Sequence, residues 1–264
     1  MRFTTTLAAA FAVTLGLSGM FMAAPASAAG EEVHAPEVDF SFDGPFGTYD
    51  MIQLQRGFQV YRDVCSGCHS MSLLSYRNLG QLGFTEEEVR AIASNYTVTD
   101  GPNDEGEMFE RAAEPKDRFV SPFANEAAAR YANGGALPPD MSLLAKARPM
   151  GPEYIHGVLI GYHDAPAGVT VPEGMYYNEY FPGHMIAMAP PLLEGAITYK
   201  GLDGEEDYAP SVEEMAEDVS AFLMWAAEPN LNERKQTGVK VILFLIVFTC
   251  LMYAVKRRIW ADAH

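Results

Sequence analysis

The fold of this chain can be inferred from the stretch Cys65-Ser66-Gly67-Cys68-His69. The spacing C-x-x-C-H is an attachment signature for a c-type haem. Cysteines three residues apart lie on one side of a helical turn, so both thiols can reach the vinyl groups at one haem edge and form thioethers. The adjacent histidine then offers an imidazole nitrogen to the iron. Because the motif occurs once, the sequence predicts one covalently bound haem c held by Cys65, Cys68 and His69.

Three other interpretations of the motif are weaker. A disulfide between Cys65 and Cys68 would be sterically tight and would leave His69 without a role. Zinc needs a fuller set of ligands, and the remaining cysteine, Cys250, lies in a long apolar segment. A thioredoxin-like redox pair would lie in a βαβ pattern, which the sequence lacks.

Length and charge exclude several classes of protein. The chain has 264 residues, of which 48% are hydrophobic, so it can bury a core and is not disordered throughout. Three cysteines are too few for a disulfide-stabilised scaffold. A formal charge of −17 argues against a nucleic-acid-binding protein and is compatible with a cationic partner.

The first 28 residues have the pattern of a secretory signal peptide. Arg2 supplies a positive charge, residues 7–22 are apolar, and Ala26-Ser27-Ala28 forms an A-x-A cleavage site. We therefore predict that residues 1–28 are removed and that the mature chain is exported; an uncleaved anchor helix is the alternative.

A second apolar segment near the C-terminus predicts a transmembrane helix over residues 237–255. These 19 residues span about 28 Å as a helix, close to the ~30 Å hydrocarbon core of a bilayer. The basic cluster at 256–258 places the tail, residues 256–264, in the cytoplasm by the positive-inside rule. Arg234 and Lys235 on the other flank weaken this signal, and a buried core helix is the alternative.

The part between these segments, residues 29–236, is predicted to be the haem domain. Residues 29–233 contain 34 acidic and 11 basic residues, a formal charge of −23 that the basic C-terminal segment hides in the total. The acidic residues concentrate in three stretches, at 104–107, 203–207 and 213–218.

Caps and apolar spacing predict a mostly α-helical fold. One helical face, capped by Asp50, has spacings of three and four: Met51, Leu54, Phe58, Tyr61 and Cys65. Capping boxes at Thr85–Glu88 and Ser211–Glu214 begin two more helices. An Ala-rich helix is expected over Asn125–Asn133, and another begins at Pro152. Pro- and Gly-rich stretches separate them, and no run alternates as an extended sheet would. The predicted architecture is therefore a c-type cytochrome fold with long loop insertions plus one C-terminal transmembrane helix.

The sixth iron ligand is harder to predict than the fifth. The proline-bounded segment 181–191 contains Met185 and Met188, and we favour Met188 because Pro190-Pro191 restrains it better. Histidines remain alternatives, namely His34, His156, His163 and His184. An open sixth position would instead indicate a haem sensor or a peroxidase.

Beyond the haem motif, the chain resembles the cytochrome c1 family, the haem subunits of the ubiquinol–cytochrome c oxidoreductase or bc1 complex. The resemblance covers nearly all of the mature chain. Around the haem motif it rests on Arg56-Gly57-Phe58-Gln59-Val60-Tyr61 and Val64 to Met71. Further on it rests on residues 105–109, Asn133 to Asp140, Tyr177 to Gly183, Met188-Ala189-Pro190-Pro191 and residues 222–229.

The resemblance implies roles for particular residues. Cys65 and Cys68 would bind haem covalently, His69 would be the proximal ligand and Met188 the distal one. Arg130 would pair with a haem propionate; an ordinary surface arginine is the alternative. Some bacterial members carry an extra cysteine pair that stiffens the distal side. This chain lacks the pair, so the proline-rich loop would have to provide that stiffness.

The resemblance also implies partners and a location. The chain would assemble with cytochrome b and a Rieske iron–sulfur protein, and it would pass single electrons from the Rieske protein to a cytochrome c. It would lie in a bacterial inner membrane with the haem domain in the periplasm. Another membrane-anchored c-type cytochrome or an oxidase subunit is the alternative function.

Overall fold

The computed structural model describes residues 34–201 and 206–262. The predicted signal peptide and most of the acidic stretch 203–207 therefore lie outside the described residues. Helices dominate, which confirms the mostly α-helical class. They are α1 (Met51–Val60), α2 (Glu86–Ser94), α3 (Glu126–Ala132), α4 (Leu144–Ala147), α5 (Pro152–Ile160), α6 (Val212–Ala227) and α7 (Leu231–Trp260), with a π-helical turn at Tyr61–Cys65 and a 3₁₀ helix at Tyr76–Leu82.

The helix starts follow the predicted caps. The Asp50 carboxylate accepts hydrogen bonds from the backbone N–H groups of Ile52 and Gln53 and caps α1. Thr85 and Glu88 form the reciprocal capping box of α2. At α6, the Ser211 hydroxyl accepts from the Glu214 backbone N–H as predicted, and the Glu214 carboxylate accepts from the Tyr208 hydroxyl at 2.6 Å.

The core is organised by the crossing of α1 and α6. Gly57 lies at the crossing, where a Cβ would stand 2.0 Å from the Asp218 carbonyl oxygen, so only a glycine lets the two backbones approach this closely. Asp218, 1% exposed, accepts from Arg56 Nε at 2.7 Å and Nη2 at 3.0 Å. Phe58 and Phe222 pack nearby with ring centroids 5.7 Å apart. The crossing thus combines apolar packing with one paired, buried charge.

The expected helical face from Met51 to Cys65 is wrong in two respects. The α-helix ends at Val60, and the next five residues form a π-helical turn that widens the helix up to Cys65, the first residue of the haem motif. Met51, the first residue of the face, is exposed. Regular spacing alone does not reveal a change from α to π geometry, which is often found at functional sites.

Strands are few and short. β1 (Thr97–Asp100) pairs antiparallel with β2 (Phe109–Ala112), and β3 (Tyr176–Tyr177) pairs antiparallel with β4 (Met185–Ile186). Across the described residues these two hairpins are the only sheets, which agrees with the expectation that no extended sheet forms.

Among the described residues, α7 is the helix that is long and apolar enough to cross a membrane. It runs for 30 residues, so it extends beyond the predicted span 237–255 at both ends. Its most apolar window is not buried against the rest of the chain, which contradicts the alternative of a core helix. At about 1.5 Å per residue the helix is longer than the ~30 Å hydrocarbon core of a bilayer, so several of its turns would lie outside that core.

We predict that Gly57→Ala destabilises the fold because the new methyl group collides with the α6 backbone. Overpacking of this kind costs about 2 kcal/mol. The measurement is the urea unfolding free energy of the detergent-solubilised protein. Gly80→Ala is the matched control, since a Cβ at Gly80 meets nothing within 4 Å. Equal losses for both variants would contradict the assigned role of the crossing.

Candidate functional site

The C-x-x-C-H motif forms a compact turn at the end of the π-helical segment. The backbone N–H groups of Cys68 and His69 both donate to the Cys65 carbonyl, at 3.1 and 2.9 Å. Cys65 is half-buried and Cys68 is exposed. Both thiols are free, so the structure does not contain the disulfide alternative. The turn brings the three predicted haem-binding side chains together.

The Cys65 thiol lacks the acidity of a redox-active cysteine. Burial, with a smaller contribution from Cys68, raises its pKa to about 12. Reactive cysteines in thioredoxin-like pairs instead have lowered pKa values. The environment therefore disfavours the redox-pair interpretation.

His69 is held in a single orientation. Its side chain is 8% exposed, and its Nδ1 lies 2.9 Å from the Pro139 carbonyl oxygen. Burial lowers the pKa of the imidazole, although the Pro139 hydrogen bond opposes this. A neutral imidazole that donates from Nδ1 presents the lone pair of Nε2, the arrangement of a metal-ligating histidine.

The segment 138–142 is fastened to the residues that follow His69. Asp140 accepts from the Ser70 hydroxyl at 2.8 Å and from the Ser72 backbone N–H at 2.9 Å. The Ser142 backbone N–H donates to the same carboxylate at 2.8 Å. Burial raises the pKa of Asp140, but hydrogen bonds from Ser142 and Ser72 outweigh it and lower the pKa to about 2. This carboxylate therefore stabilises the loop that holds His69.

The donor set fits a haem better than an ion held by protein alone. Within the described ranges, no group of three or more His, Cys, Asp or Glu side chains could hold a metal ion. A porphyrin supplies four nitrogen ligands itself and needs only axial ligands from the chain. One oriented histidine beside two free cysteines meets that need, which argues against the zinc interpretation.

The two candidate methionines lie on one hairpin segment. Met185 is in β4, paired with Tyr177 in β3, and Met188 follows three residues later. Both side chains are half-buried, and the Met188 carbonyl accepts from the Tyr162 hydroxyl at 3.0 Å. Met188 as the distal ligand stays a prediction.

Three of the alternative histidines have partners within the chain. Buried His156 lies 3.4 Å from a carboxylate oxygen of Glu213, and exposed His163 lies 3.3 Å from one of Glu179. His184 Nδ1 lies 3.3 Å from the Asn178 carbonyl oxygen. His34 is exposed in the N-terminal extension.

Arg130 lies on exposed α3 and donates from Nη1 to the Gly135 carbonyl at 3.1 Å. This contact ties the end of α3 to the Gly134-Gly135 turn, which is the role of a structural arginine. Its pairing with a propionate stays a prediction.

Comparison with known proteins identifies the family. A model described as the Cytochrome C1 family matches residues 40–263. The chain belongs to the cytochrome c1 family. Cytochrome c1 of Rhodospirillum rubrum is 48% identical over 256 residues, covering 91% of this chain and 92% of the relative. A mitochondrial cytochrome c1 of Arabidopsis thaliana is 48% identical over 248 residues, covering 92% of this chain and 78% of the relative.

A third relative is longer than this chain. Cytochrome b/c1 of Bradyrhizobium diazoefficiens is 47% identical over 252 residues, or 87% of this chain, yet the chain spans only 36% of its length. The family confirms the resemblance inferred from the sequence and implies a haem c cofactor and an electron-carrier role in the bc1 complex.

The cytochrome c1 family motifs contain residues whose roles sequence reasoning missed. Pro139 orients His69 through its carbonyl, and Asp140 fixes the loop. Both lie in the segment Asn133 to Asp140 that carries part of the family resemblance, but the sequence of that segment does not indicate the contact with His69. Tyr162 lies outside every quoted motif.

We predict that Asp140→Asn lowers the stability of the protein by loosening the loop that holds His69. The amide has one oxygen fewer to accept hydrogen bonds, and its NH₂ group would face the N–H and O–H groups that donate to Asp140. The expected loss is about 2 kcal/mol of unfolding free energy near pH 7. Since the pKa falls from 3.8 to about 2 on folding, the wild-type advantage is present above pH 3.8 and disappears as the pH falls towards 2. Urea unfolding at several pH values measures how the difference in unfolding free energy between wild type and Asp140→Asn decreases with falling pH. Asp104→Asn, at an exposed position, is the control. A difference in unfolding free energy that does not change with pH would contradict the role assigned to the Asp140 carboxylate.

Proposed function

We propose that this chain passes single electrons from a Rieske iron–sulfur protein to a cytochrome c within the bc1 complex. The observation that carries the proposal is the oriented His69 beside Cys65 and Cys68 in a cytochrome c1 family member. The haem supplies the one-electron chemistry when it is bound. The chain's part is to fix the axial ligands, shield the ring and leave an edge accessible for transfer.

The cofactor is one haem c, attached through thioethers to Cys65 and Cys68 with His69 as the proximal ligand. Covalent attachment suits an exported protein, which would otherwise lose its cofactor by dissociation. The single C-x-x-C-H motif supports a single haem. Arg130 is proposed as a propionate partner on the family resemblance alone, because members of the cytochrome c1 family pair an arginine from the stretch before this Gly-Gly segment with a propionate.

The proposed partners in the membrane are cytochrome b and the Rieske protein. The name of the Bradyrhizobium relative, cytochrome b/c1, supports the first of these. α7 would anchor the chain in a bacterial inner membrane, with residues 29–236 in the periplasm and residues 256–264 in the cytoplasm. The charge order around α7 supports this orientation.

Purification of an affinity-tagged chain from native membranes tests this assembly. We expect cytochrome b and a Rieske protein to co-purify, and we expect haem to remain on the chain in a denaturing gel. Cys68→Ser should impair this attachment, whereas Cys250→Ser should leave it unchanged. Purification of a haem-bearing chain without cytochrome b would contradict the proposal and favour a different anchored cytochrome.

Met188 is proposed as the distal ligand. We predict that Met188→Leu lowers the midpoint potential by ~0.1 V or more, since axial ligands set haem potentials over ~0.8 V. The reduced haem should also bind carbon monoxide, because leucine offers no donor atom. Redox titration and absorption spectra measure both effects. Met185→Leu is the matched control, and a normal potential in Met188→Leu would mean that Met185 or a histidine is the ligand.

The acidic surface offers a docking area for the cytochrome c that would accept the electron. Asp104, Glu105 and Glu107 are all exposed in the loop that joins β1 to β2. In the stretch 213–218, by contrast, Asp218 is buried against Arg56 and Glu217 accepts from Gln53. The hairpin loop is therefore the better candidate for attracting a basic cytochrome c.

We predict that electron transfer to a basic cytochrome c slows several-fold as salt rises from low to physiological strength, because screening shortens the reach of surface charges. Glu105→Gln/Glu107→Gln should lower the rate at low salt and flatten the salt dependence. Stopped-flow oxidation of the reduced complex measures both effects. Glu86→Gln/Glu87→Gln, which neutralises two exposed carboxylates of α2, is the control. A rate independent of salt would contradict an electrostatic encounter.

A further inference from the structure

The segment that carries Met188 is held at its backbone by Tyr162. This tyrosine lies two residues beyond α5, and its hydroxyl donates to the Met188 carbonyl oxygen at 3.0 Å. The ring is half-buried. The hydroxyl is the donor in this contact, because a backbone carbonyl oxygen can only accept.

A second contact fixes the same hairpin upstream. Asn178 is fully buried, and its Nδ2 donates to the Val158 carbonyl of α5 at 2.7 Å. Its Oδ1 accepts from the Tyr180 backbone N–H at 3.1 Å, and its own backbone N–H donates to the His184 carbonyl at 2.9 Å. One side chain therefore joins the turn of the hairpin to α5.

Backbone contacts complete the attachment. The Glu179 N–H donates to the Gly161 carbonyl at 2.9 Å, and Tyr162 pairs with Asn178 as an isolated antiparallel bridge. The end of α5 thus fixes both sides of the hairpin. Downstream, Pro190 and Pro191 restrict the backbone dihedral angles and have no N–H to donate. The Tyr162 hydroxyl contacts Met188 itself.

We propose that Tyr162 is a positioning residue that keeps the Met188 thioether at the iron by holding the Met188 backbone. The inference rests on the proposed function, in which Met188 is the distal ligand. Stiffness on the distal side would then come from hydrogen bonds to the end of α5, in addition to the prolines of the loop.

The physical basis is competition at the sixth position. A thioether is a neutral, weak ligand, so its occupancy depends on how closely the backbone confines the sulfur near the iron. When the Tyr162 hydroxyl fixes the Met188 backbone, the effective concentration of the sulfur at the sixth position is higher. Loss of the hydroxyl lowers this effective concentration, although the sulfur ligand itself is still present. An external ligand then competes more successfully.

The test uses Tyr162→Phe in the purified complex, because this change removes the hydroxyl and keeps the ring. Imidazole is titrated into the oxidised protein, and the midpoint potential is measured in parallel. We expect imidazole affinity to rise by about 2- to 10-fold, the effect of one net hydrogen bond, and the potential to fall. Tyr131→Phe, at a side chain that is 92% exposed, should match wild type in both measurements.

Unchanged imidazole affinity and potential in Tyr162→Phe would overturn the inference, even if the variant unfolds more easily. Met188→Leu separates this result from failure of the proposed function. If Met188→Leu opens the iron while Tyr162→Phe behaves as wild type, the ligand assignment stands and the role of Tyr162 is wrong. If Met188→Leu binds imidazole no better than wild type, the ligand assignment is wrong and the inference falls with it.

Discussion

The close approach of α1 and α6 at Gly57 is the constraint on which the rest of the structure depends. A π-helical turn that ends at Cys65, the first residue of the haem motif, follows α1 directly, so the position of α1 determines where the cysteines and His69 lie. α6 in turn packs against α4 and α5, and the end of α5 holds the segment carrying Met188. One crossing without a side chain between the backbones therefore positions elements on both candidate sides of a haem.

The site itself depends on loops, and these loops are fixed by hydrogen bonds to backbone groups. The Pro139 carbonyl orients His69, and the Tyr61 hydroxyl donates to the His69 carbonyl at 3.1 Å. Leu73 donates its backbone N–H to the Ser142 hydroxyl at 3.0 Å. A loop held in this way keeps a ligand in place without a large core of its own, because the Pro139 carbonyl, the Asp140 carboxylate and the Ser142 hydroxyl all have partners.

Local sequence rules predicted where the helices begin, but they could not predict the long-range contacts. Asp50, Thr85 and Ser211 cap helices because each cap involves residues within one turn. The contact of Pro139 with His69 spans 70 residues and uses a carbonyl that every residue has. No residue type marks such an acceptor, so the sequence indicated the proximal histidine and could not show what holds it. The same reasoning applies to Tyr162, whose partner is the backbone of Met188.

The junction between the haem domain and α7 shows what the two basic residues at the start of α7, Arg234 and Lys235, contact in the folded chain. Arg234 pairs with Glu228, which also accepts from Lys146 at 2.9 Å. Lys235 donates to the Gly44 carbonyl at 2.6 Å and is thus bound to the N-terminal loop. Both basic residues therefore fasten the start of α7 to the haem domain in the folded chain. These contacts form after membrane insertion, so Arg234 and Lys235 still count as positive charges on that flank, and the sidedness of α7 stays a prediction.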